Sequence, residues 1–321
     1  MVQIRAPLGL PPVPIPADNP PTTQTIALGR KLFYDPRLSK DNTISCASCH
    51  NPNRAFTDGL TIARGIGGLL GVRNTPTLLN AAYSPFQFWD GRAATLEAQS
   101  AFPIANPVEM NQPHEVSVSK IGSIPEYKAE FTQAFGPGEV NLGQIQKSLA
   151  SFERTLLSGD SPFDQYEYGG NKQALSPAAI RGLAIFANPQ RGNCAVCHTI
   201  DTHYALFTDG KFHNTGVGIN GEGDFTDLGR FGQTKLQADR GEFKTPTLRN
   251  VALTPPYMHD GSLTTLADVV DFYAGGGNSN PDLDKDMKPL HLSAQERADL
   301  VAFLESLNGD MPKNAGPPGK E

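Results

Sequence analysis

The hydrophobic pattern along this chain predicts helices rather than strands. In residues 144–157 and 294–307, apolar positions recur every three or four residues, which is the spacing of an amphipathic helix. Elsewhere proline and glycine separate short apolar segments, and we find no convincing alternation of the kind that is typical of strands. No apolar run approaches the roughly 20 residues needed to cross a bilayer. We therefore expect a mainly α-helical protein without a membrane span.

The chain also repeats itself at an offset of 170 residues. Thr75-Pro76-Thr77-Leu78 recurs as Thr245-Pro246-Thr247-Leu248, and Trp89-Asp90-Gly91 is matched by His259-Asp260-Gly261. Internal similarity of this kind indicates a duplicated unit, and 321 residues suit two domains of ordinary size. We predict a Pro-rich N-terminal arm at 1–22, a first domain at 23–165, a second domain at 166–310 and a C-terminal tail at 311–321.

The four cysteines occur in two copies of one motif, Cys46-Ala-Ser-Cys49-His50 and Cys194-Ala-Val-Cys197-His198. This spacing is the attachment signature of haem c, because two thiols one turn apart can bond to the two vinyl groups of one porphyrin. The histidine that follows then offers a ring nitrogen to the iron. A zinc site would leave that histidine unused, and a thioredoxin-like pair would need a βαβ pattern that is not visible. We predict two tandem cytochrome c-like domains, each with one covalently attached haem c.

The net charge of the chain and the predicted haem c limit the possible partners and the expected location. The net charge of −6 and the pI of about 5.7 argue against nucleic acid as a partner, since phosphate binding needs a basic surface. Haem c is normally attached outside the bacterial cytoplasm, so we expect a periplasmic protein. Residues 1–21 are rich in proline and lack a basic stretch followed by an unbroken apolar one, so they are not an intact signal peptide.

The two halves differ where a haem would face its sixth ligand. The glycine-rich loop at 51–73 contains no His, Met, Lys or Cys, so the first iron is expected to be open to hydrogen peroxide. Glu109 is a candidate acid–base group for peroxide cleavage, the alternative being a solvated surface carboxylate. Met110 and His114 lie close by in sequence and could bind the iron instead.

Taken together, these motifs resemble the bacterial di-haem cytochrome c peroxidase and MauG family over residues 26–307. The resemblance is carried by Leu32-Phe33-Tyr34-Asp35-Pro36-Arg37-Leu38-Ser39, both CxxCH motifs, Arg73-Asn74-Thr75-Pro76-Thr77, Phe88-Trp89-Asp90-Gly91-Arg92, Val108-Glu109-Met110, Lys244-Thr245-Pro246-Thr247-Leu248-Arg249-Asn250 and Tyr257-Met258-His259-Asp260-Gly261.

The resemblance implies a role for several of these residues. His50 would be the proximal ligand of the peroxide-reactive haem and His198 that of the electron-transfer haem. Trp89 would relay electrons between the haems, while Gln99 and Glu109 would line the peroxide pocket.

The family also implies a calcium ion between the domains. Its ligands here would be the Asn74 side chain and the carbonyls of Thr254 and Pro256, with waters. Without the resemblance, Asn74 would be taken for a turn-forming residue.

Two departures from the usual family pattern affect the expected function. The gating histidine of typical members is replaced by Ile66, and their axial methionine is replaced by Tyr273. A tyrosinate ligand favours ferric and higher states, as in MauG. Met287 is the main rival for this sixth position, and His259, which stands where the first half has Trp89, is expected to contact a haem.

The leading hypothesis is therefore a MauG-like oxidoreductase. Hydrogen peroxide would generate a high-valent state shared over the two haems, which oxidises a protein residue or an electron donor at long range. One alternative is a cytochrome c peroxidase that removes peroxide with electrons from cytochrome c or a cupredoxin. A second alternative is a di-haem electron carrier or redox sensor without turnover. A small redox protein or a protein substrate is the expected partner, and a homodimer is a further expectation.

Overall fold

The computed structural model describes residues 2–220 and 223–319. Met1 of the predicted arm and residues 320–321 of the predicted tail therefore lie outside the described residues. Within that range the chain is mainly helical, which confirms the predicted fold class. The exact domain boundaries stay a prediction.

Short helices separated by long irregular segments make up the fold. In chain order they are α1 (Thr23–Phe33), α2 (Cys46–Cys49), α3 (Leu96–Ala105), α4 (His114–Gly122), α5 (Pro125–Phe135), α6 (Leu142–Glu153), α7 (Pro162–Glu167), α8 (Pro177–Ala187), α9 (Phe231–Thr234), α10 (Leu266–Ala274) and α11 (Ala294–Glu305). A small antiparallel pair, which the sequence pattern did not reveal, joins β1 (Phe212–His213) to β2 (Phe243–Lys244).

The two predicted amphipathic helices are present with shifted ends. α6 begins before residue 144 because the Asn141 side chain accepts a hydrogen bond from the Gln144 amide in a capping box. It stops at Glu153 because the next residues form tight turns, with Leu156 N–H donating to the Glu153 carbonyl at 3.0 Å. The apolar residues beyond that point belong to the core without being helical.

Each domain has its own aromatic core built in the same way. In the first, α1 packs on α6 and places Phe33 against Phe152, with ring centroids 5.2 Å apart. In the second, α8 packs on α11 and places Phe186 against Phe303 at 4.9 Å. The two CxxCH motifs lie beside these cores, with Cys46 packed against the first and Cys194 against the second.

The arm and the tail both bridge the two domains. The Leu8 carbonyl accepts from the Asp160 amide at 2.9 Å, and the Gly9 carbonyl accepts from the Ala205 amide at 3.1 Å. From the other end of the chain, the Gly316 carbonyl accepts from Arg30 Nε of α1 at 2.6 Å. None of the described helices is long and apolar enough to cross a membrane.

The two domains meet at a seam that follows the sequence repeat. Asn74 N–H donates to the His259 carbonyl at 2.7 Å, and Lys244 N–H donates to the Trp89 carbonyl at 2.8 Å. Both pairs are related by the offset of 170 residues, so the domains exchange equivalent hydrogen bonds. The exchange brings Trp89 and His259 together, with ring centroids 6.4 Å apart.

Candidate functional site

A cavity of about 770 Å³ runs through both domains and across the seam. Its wall includes every cysteine and histidine of the two CxxCH motifs, namely Cys46, Cys49, His50, Cys194, Cys197 and His198. All four thiols are free of disulfide bonds. The cavity therefore presents two complete sets of haem-attachment groups.

The two motif histidines are oriented in the same way. His50 Nδ1 lies 3.0 Å from the Phe56 carbonyl, and His198 Nδ1 lies 2.8 Å from the Phe207 carbonyl. Because a carbonyl can only accept, each ring carries its proton on Nδ1 and leaves Nε2 with a free lone pair. Burial lowers the pKa of both imidazoles, which favours this neutral form. The residues present thus fit two haem c groups, which His50 and His198 would ligate.

Those carbonyls are aimed by an unusual backbone conformation. Phe56 and Phe207 have φ values of 59° and 51°, in the left-handed region. Each stands at the start of a repeated Phe-Thr-Asp-Gly sequence that follows the haem motif. The repeat was visible in the sequence, but its role in orienting the histidines depends on the backbone turn and was missed.

Glu109 lies in the first half of the cavity, together with Gln99. Asn106 Nδ2 donates to Glu109 Oε1 at 2.6 Å and holds the carboxyl in place. Burial raises the pKa of Glu109, an effect that the Asn106 hydrogen bond partly offsets. Glu109 is therefore not the solvated surface carboxylate that was the alternative.

The glycine-rich loop closes on the segment that carries Glu109. Ile66 N–H donates to the Glu109 carbonyl at 2.7 Å. The Ile66 side chain is buried, and Gly65 is the neighbouring residue that lines the cavity. No polar side chain from position 66 thus competes for the first iron.

The two rival ligands near Glu109 are placed differently. Met110 is buried in the first core and also reaches the cavity wall, so it remains a rival. His114 begins α4, and its Nε2 lies 2.8 Å from the Ala101 carbonyl. That hydrogen bond occupies one ring nitrogen and makes His114 the weaker alternative.

Tyr273 and Met287 both line the second half of the cavity. Tyr273 lies on α10, and burial raises the pKa of its phenol, with the nearby Cys197 and Cys194 as further causes. Met287 Cε lies against Gly277, 2.7 Å from where a Cβ on that glycine would stand. The sequence prediction that these two compete for one position therefore remains open.

The seam holds Trp89 and His259 in a fixed arrangement. Trp89 Nε1 donates to the Asn74 carbonyl at 3.0 Å. The His259 ring stacks on Phe243 with centroids 3.5 Å apart and an interplanar angle of 12°. His259 Nε2 is buried without a hydrogen-bond partner in the described part of the chain, and burial lowers the pKa of this ring to about 4. Two oriented rings thus lie in the cavity wall between the haem motifs.

The predicted calcium ligands line the same cavity. Asn74 Nδ2 donates to the Leu60 carbonyl at 2.8 Å, which leaves Oδ1 as the available atom. Among the hydrogen bonds of the described residues, none ends on the carbonyls of Thr254 or Pro256. Such uncommitted oxygen donors suit calcium, so the residues fit the ion, and the site stays a prediction.

Sequence reasoning missed a charged network beside the seam. Arg73 donates to Asp90 at 2.7 Å and to Asp227 of the other domain at 2.7 Å. Arg92 also pairs with Asp90 at 3.0 Å. Arg73 and Asp90 belong to segments that carry the family resemblance, but no individual role had been assigned to them.

A second missed cluster lies beside the second motif. His213 lies between Asp209, at 2.9 Å, and Asp284, at 2.5 Å. Together with Cys197 these side chains include a group spaced closely enough to hold a metal ion. Because Cys197 is one of the two thiols of the second CxxCH motif, this group overlaps the predicted haem site and is not a separate metal site.

Comparison with known proteins agrees with this geometry. Residues 23–173 match the family model described as di-haem cytochrome c peroxidase, and residues 179–308 match the cytochrome c model. The methylamine utilization protein MauG of Methylorubrum extorquens is 42% identical over 299 residues, covering 93% of this chain and 82% of that protein. A cytochrome c551 peroxidase of Nitrosomonas europaea is 38% identical, covering 93% of this chain and 84% of that protein.

Among solved structures, a MauG-like protein associated with microbial copper homeostasis is similar to this chain. It superposes with a TM-score of 0.85 at 33% sequence identity, covering 95% of both chains. The diheme peroxidase BthA of Burkholderia thailandensis superposes with a TM-score of 0.76 at 27% identity, covering 92% of this chain and 90% of that one.

Proposed function

Since this chain belongs to the di-haem cytochrome c peroxidase and MauG family, we propose that it is a peroxide-dependent oxidoreductase of the MauG type. It would react with hydrogen peroxide at the first haem and oxidise a protein residue or an electron donor at long range. The family relationship itself supports the coarser statement, a di-haem oxidoreductase with covalently bound haem c.

The bound haems supply the redox chemistry, and the chain supplies ligands, proton transfer and a route between the two sites. Reduction of one hydrogen peroxide to two waters consumes two electrons and two protons. Glu109 would take a proton from one peroxide oxygen and deliver it to the other, so that water can leave. A raised pKa suits this task, because a carboxyl that holds its proton more tightly is a better base for the peroxide proton. Gln99 would help to orient the peroxide.

Electron transfer across the seam would use Trp89, with His259 beside it. Both rings line the cavity, and the backbone exchange fixes them on opposite sides of the domain boundary. A substrate at the protein surface could then be oxidised without entering the peroxide pocket.

The single observation that favours the MauG type is the placement of Tyr273. Its phenol is buried beside both thiols of the second motif. A cation next to a buried phenol stabilises the phenolate, and an anionic ligand favours the higher oxidation states of iron. Met287, also at the cavity wall, favours the alternative of a peroxidase that removes peroxide with electrons from cytochrome c or a cupredoxin.

The partners follow from this proposal. Hydrogen peroxide is one, and a small redox protein or a protein substrate is the other. We also propose a calcium ion at Asn74, Thr254 and Pro256, and a periplasmic location, because haem c is normally attached outside the cytoplasm. The predicted homodimer remains an expectation.

The test is to mix the fully ferric protein with one equivalent of hydrogen peroxide and to follow the haem absorption bands. An immediate change is expected, because the loop at 51–73, which includes Ile66, offers no His, Met, Lys or Cys to the first iron. A reaction that begins only after one electron has been supplied would overturn the MauG-type proposal in favour of the gated peroxidase. Two low-spin irons and no reaction in either state would favour the electron carrier.

A further inference from the structure

Lys244 occupies the position in the second domain that Asn74 occupies in the first. We propose that the Lys244 ammonium is the fixed counter-cation of a haem propionate at the domain seam. The proposal rests on the presence of both haems, which the proposed function shares. It does not depend on whether the protein reacts with peroxide.

The backbone holds Lys244 firmly at the seam. Its N–H donates to the Trp89 carbonyl at 2.8 Å, and the residue belongs to β2, which pairs with β1. The neighbouring Phe243 ring is stacked on His259 at 3.5 Å. The lysine stem therefore starts from a fixed point between the two haem motifs, and its side chain forms part of the cavity wall.

The ammonium has no acceptor within the described part of the chain. No hydrogen bond or ion pair of Lys244 Nζ occurs there, although the charge of Asp209 acts to raise the pKa of this amine. Burial is the larger effect and lowers the pKa of Lys244 to about 8. An unpaired ammonium in an apolar cavity is costly, and an apolar macrocycle filling the cavity would increase the cost.

The other cations in the cavity wall are either paired with carboxylates or exposed to solvent. Arg73 and Arg92 are held by Asp90, and His213 is held by two carboxylates. Arg64 and Lys288 are exposed to solvent. Among the described lysines and arginines of the wall, Lys244 is thus the one that is not fully exposed and makes no ion pair.

The missing anion is one that the cofactor itself brings. Each haem carries two propionate carboxylates, and they must be accommodated in a cavity whose arginines Arg73 and Arg92 already pair with protein acids. A propionate at Lys244 would form a charge-assisted hydrogen bond in a water-poor site, where such bonds are strong. It would place a positive charge at the seam opposite Asn74, the proposed calcium ligand.

The experiment compares reduction potentials of the haem-loaded protein and its variants by spectroelectrochemistry. Lys244→Met removes the charge and keeps the length of the side chain, while Lys244→Arg keeps the charge. Lys288→Met is the matched control, because it removes an exposed lysine from the same cavity wall. Haem content is measured for every variant from the pyridine haemochrome spectrum.

Loss of a cation beside a propionate disfavours the reduced haem, because reduction makes the haem less positive. We expect Lys244→Met to lower the equilibrium constant for reduction of one haem about tenfold. For a one-electron couple this is a fall in reduction potential of about 59 mV. Lys244→Arg and Lys288→Met should stay near the wild-type potentials. If Lys244→Met fails to retain haem, Lys244→Gln provides the neutral comparison.

Unchanged potentials in a fully loaded neutral variant would overturn the proposal. So would an equal shift in Lys244→Arg, because the charge would then not be responsible. If Lys244→Met shows the expected fall in potential but the wild-type protein never reacts with peroxide, this proposal stands and the proposed function is refuted.

Discussion

Gly65 is the point at which the glycine-rich loop touches the segment that carries Glu109. A Cβ added at Gly65 would lie 2.0 Å from the Val108 carbonyl oxygen and 2.6 Å from Glu109 Cα. Both are backbone atoms, so no side-chain rotation can relieve the contact. We expect Gly65→Ala to push the loop and this segment apart, and so to weaken the hydrogen bond from Ile66 N–H to the Glu109 carbonyl.

The size of the effect follows from these contacts. Forcing an extra methyl into a filled site costs about 1–3 kcal/mol, and loss of the hydrogen bond adds about 1 kcal/mol. For a protein of 321 residues the sum corresponds to a fall in Tm of about 3–6 °C. A catalytic group displaced by about 1 Å can lose about 100-fold in rate, so the reaction with peroxide should slow by about 10- to 100-fold.

Stopped-flow absorbance with excess hydrogen peroxide measures the rate, and circular dichroism on heating measures Tm. Gly71→Ala is the matched control, because a Cβ there would meet the Ala63 carbonyl oxygen at an ordinary 3.5 Å. It should leave both quantities nearly unchanged. A wild-type rate and Tm in Gly65→Ala would refute the packing argument. Equal losses in the two variants would instead show that loop flexibility matters rather than the contact.

Three further predictions address the arm, a buried carboxyl and the second haem. Gly9→Ala would place a Cβ 1.8 Å from Asp164 Oδ1 at a φ of +83°, so calorimetry should show a Tm several degrees lower, whereas Gly316→Ala, with open space around it, should not. Burial raises the pKa of Glu153 from 4.5 to about 8, so the folded protein keeps a proton that the unfolded chain releases, and stability falls as pH rises from about 4.5 to 8. Glu153→Gln should flatten that decline by a few kcal/mol in denaturant titrations at pH 5 and pH 8, and a steeper decline would contradict the assignment. Tyr273→Met should raise the potential of one haem in spectroelectrochemistry, and an unchanged potential would point to Met287 as the ligand.

The parts of the molecule that the sequence predicted are those set by neighbouring residues. Each CxxCH motif determines its own chemistry, and the periodic stretch at 294–307 became α11 with little change. The end of α6 was wrong because core packing continues beyond the helix as tight turns. The pairing of Lys244 with Trp89 could not be predicted, since it depends on how two domains 170 positions apart in sequence come together.

An exact duplication would give two equivalent irons, whereas the proposed function assigns peroxide chemistry to one iron and electron storage to the other. On that proposal, the difference between the two irons must come from positions that the repeat relates but whose residues differ. The seam concentrates such positions, because Trp89 faces His259 there and Asn74 has Lys244 as its counterpart. On one side of the boundary the Asn74 amide leaves an oxygen for a cation. On the other side the Lys244 amine requires an anion, so the two sides need partners of opposite charge. The hydrogen-bond exchange keeps the scaffold symmetric, so substitutions at these few positions can shift the two potentials apart without altering the fold.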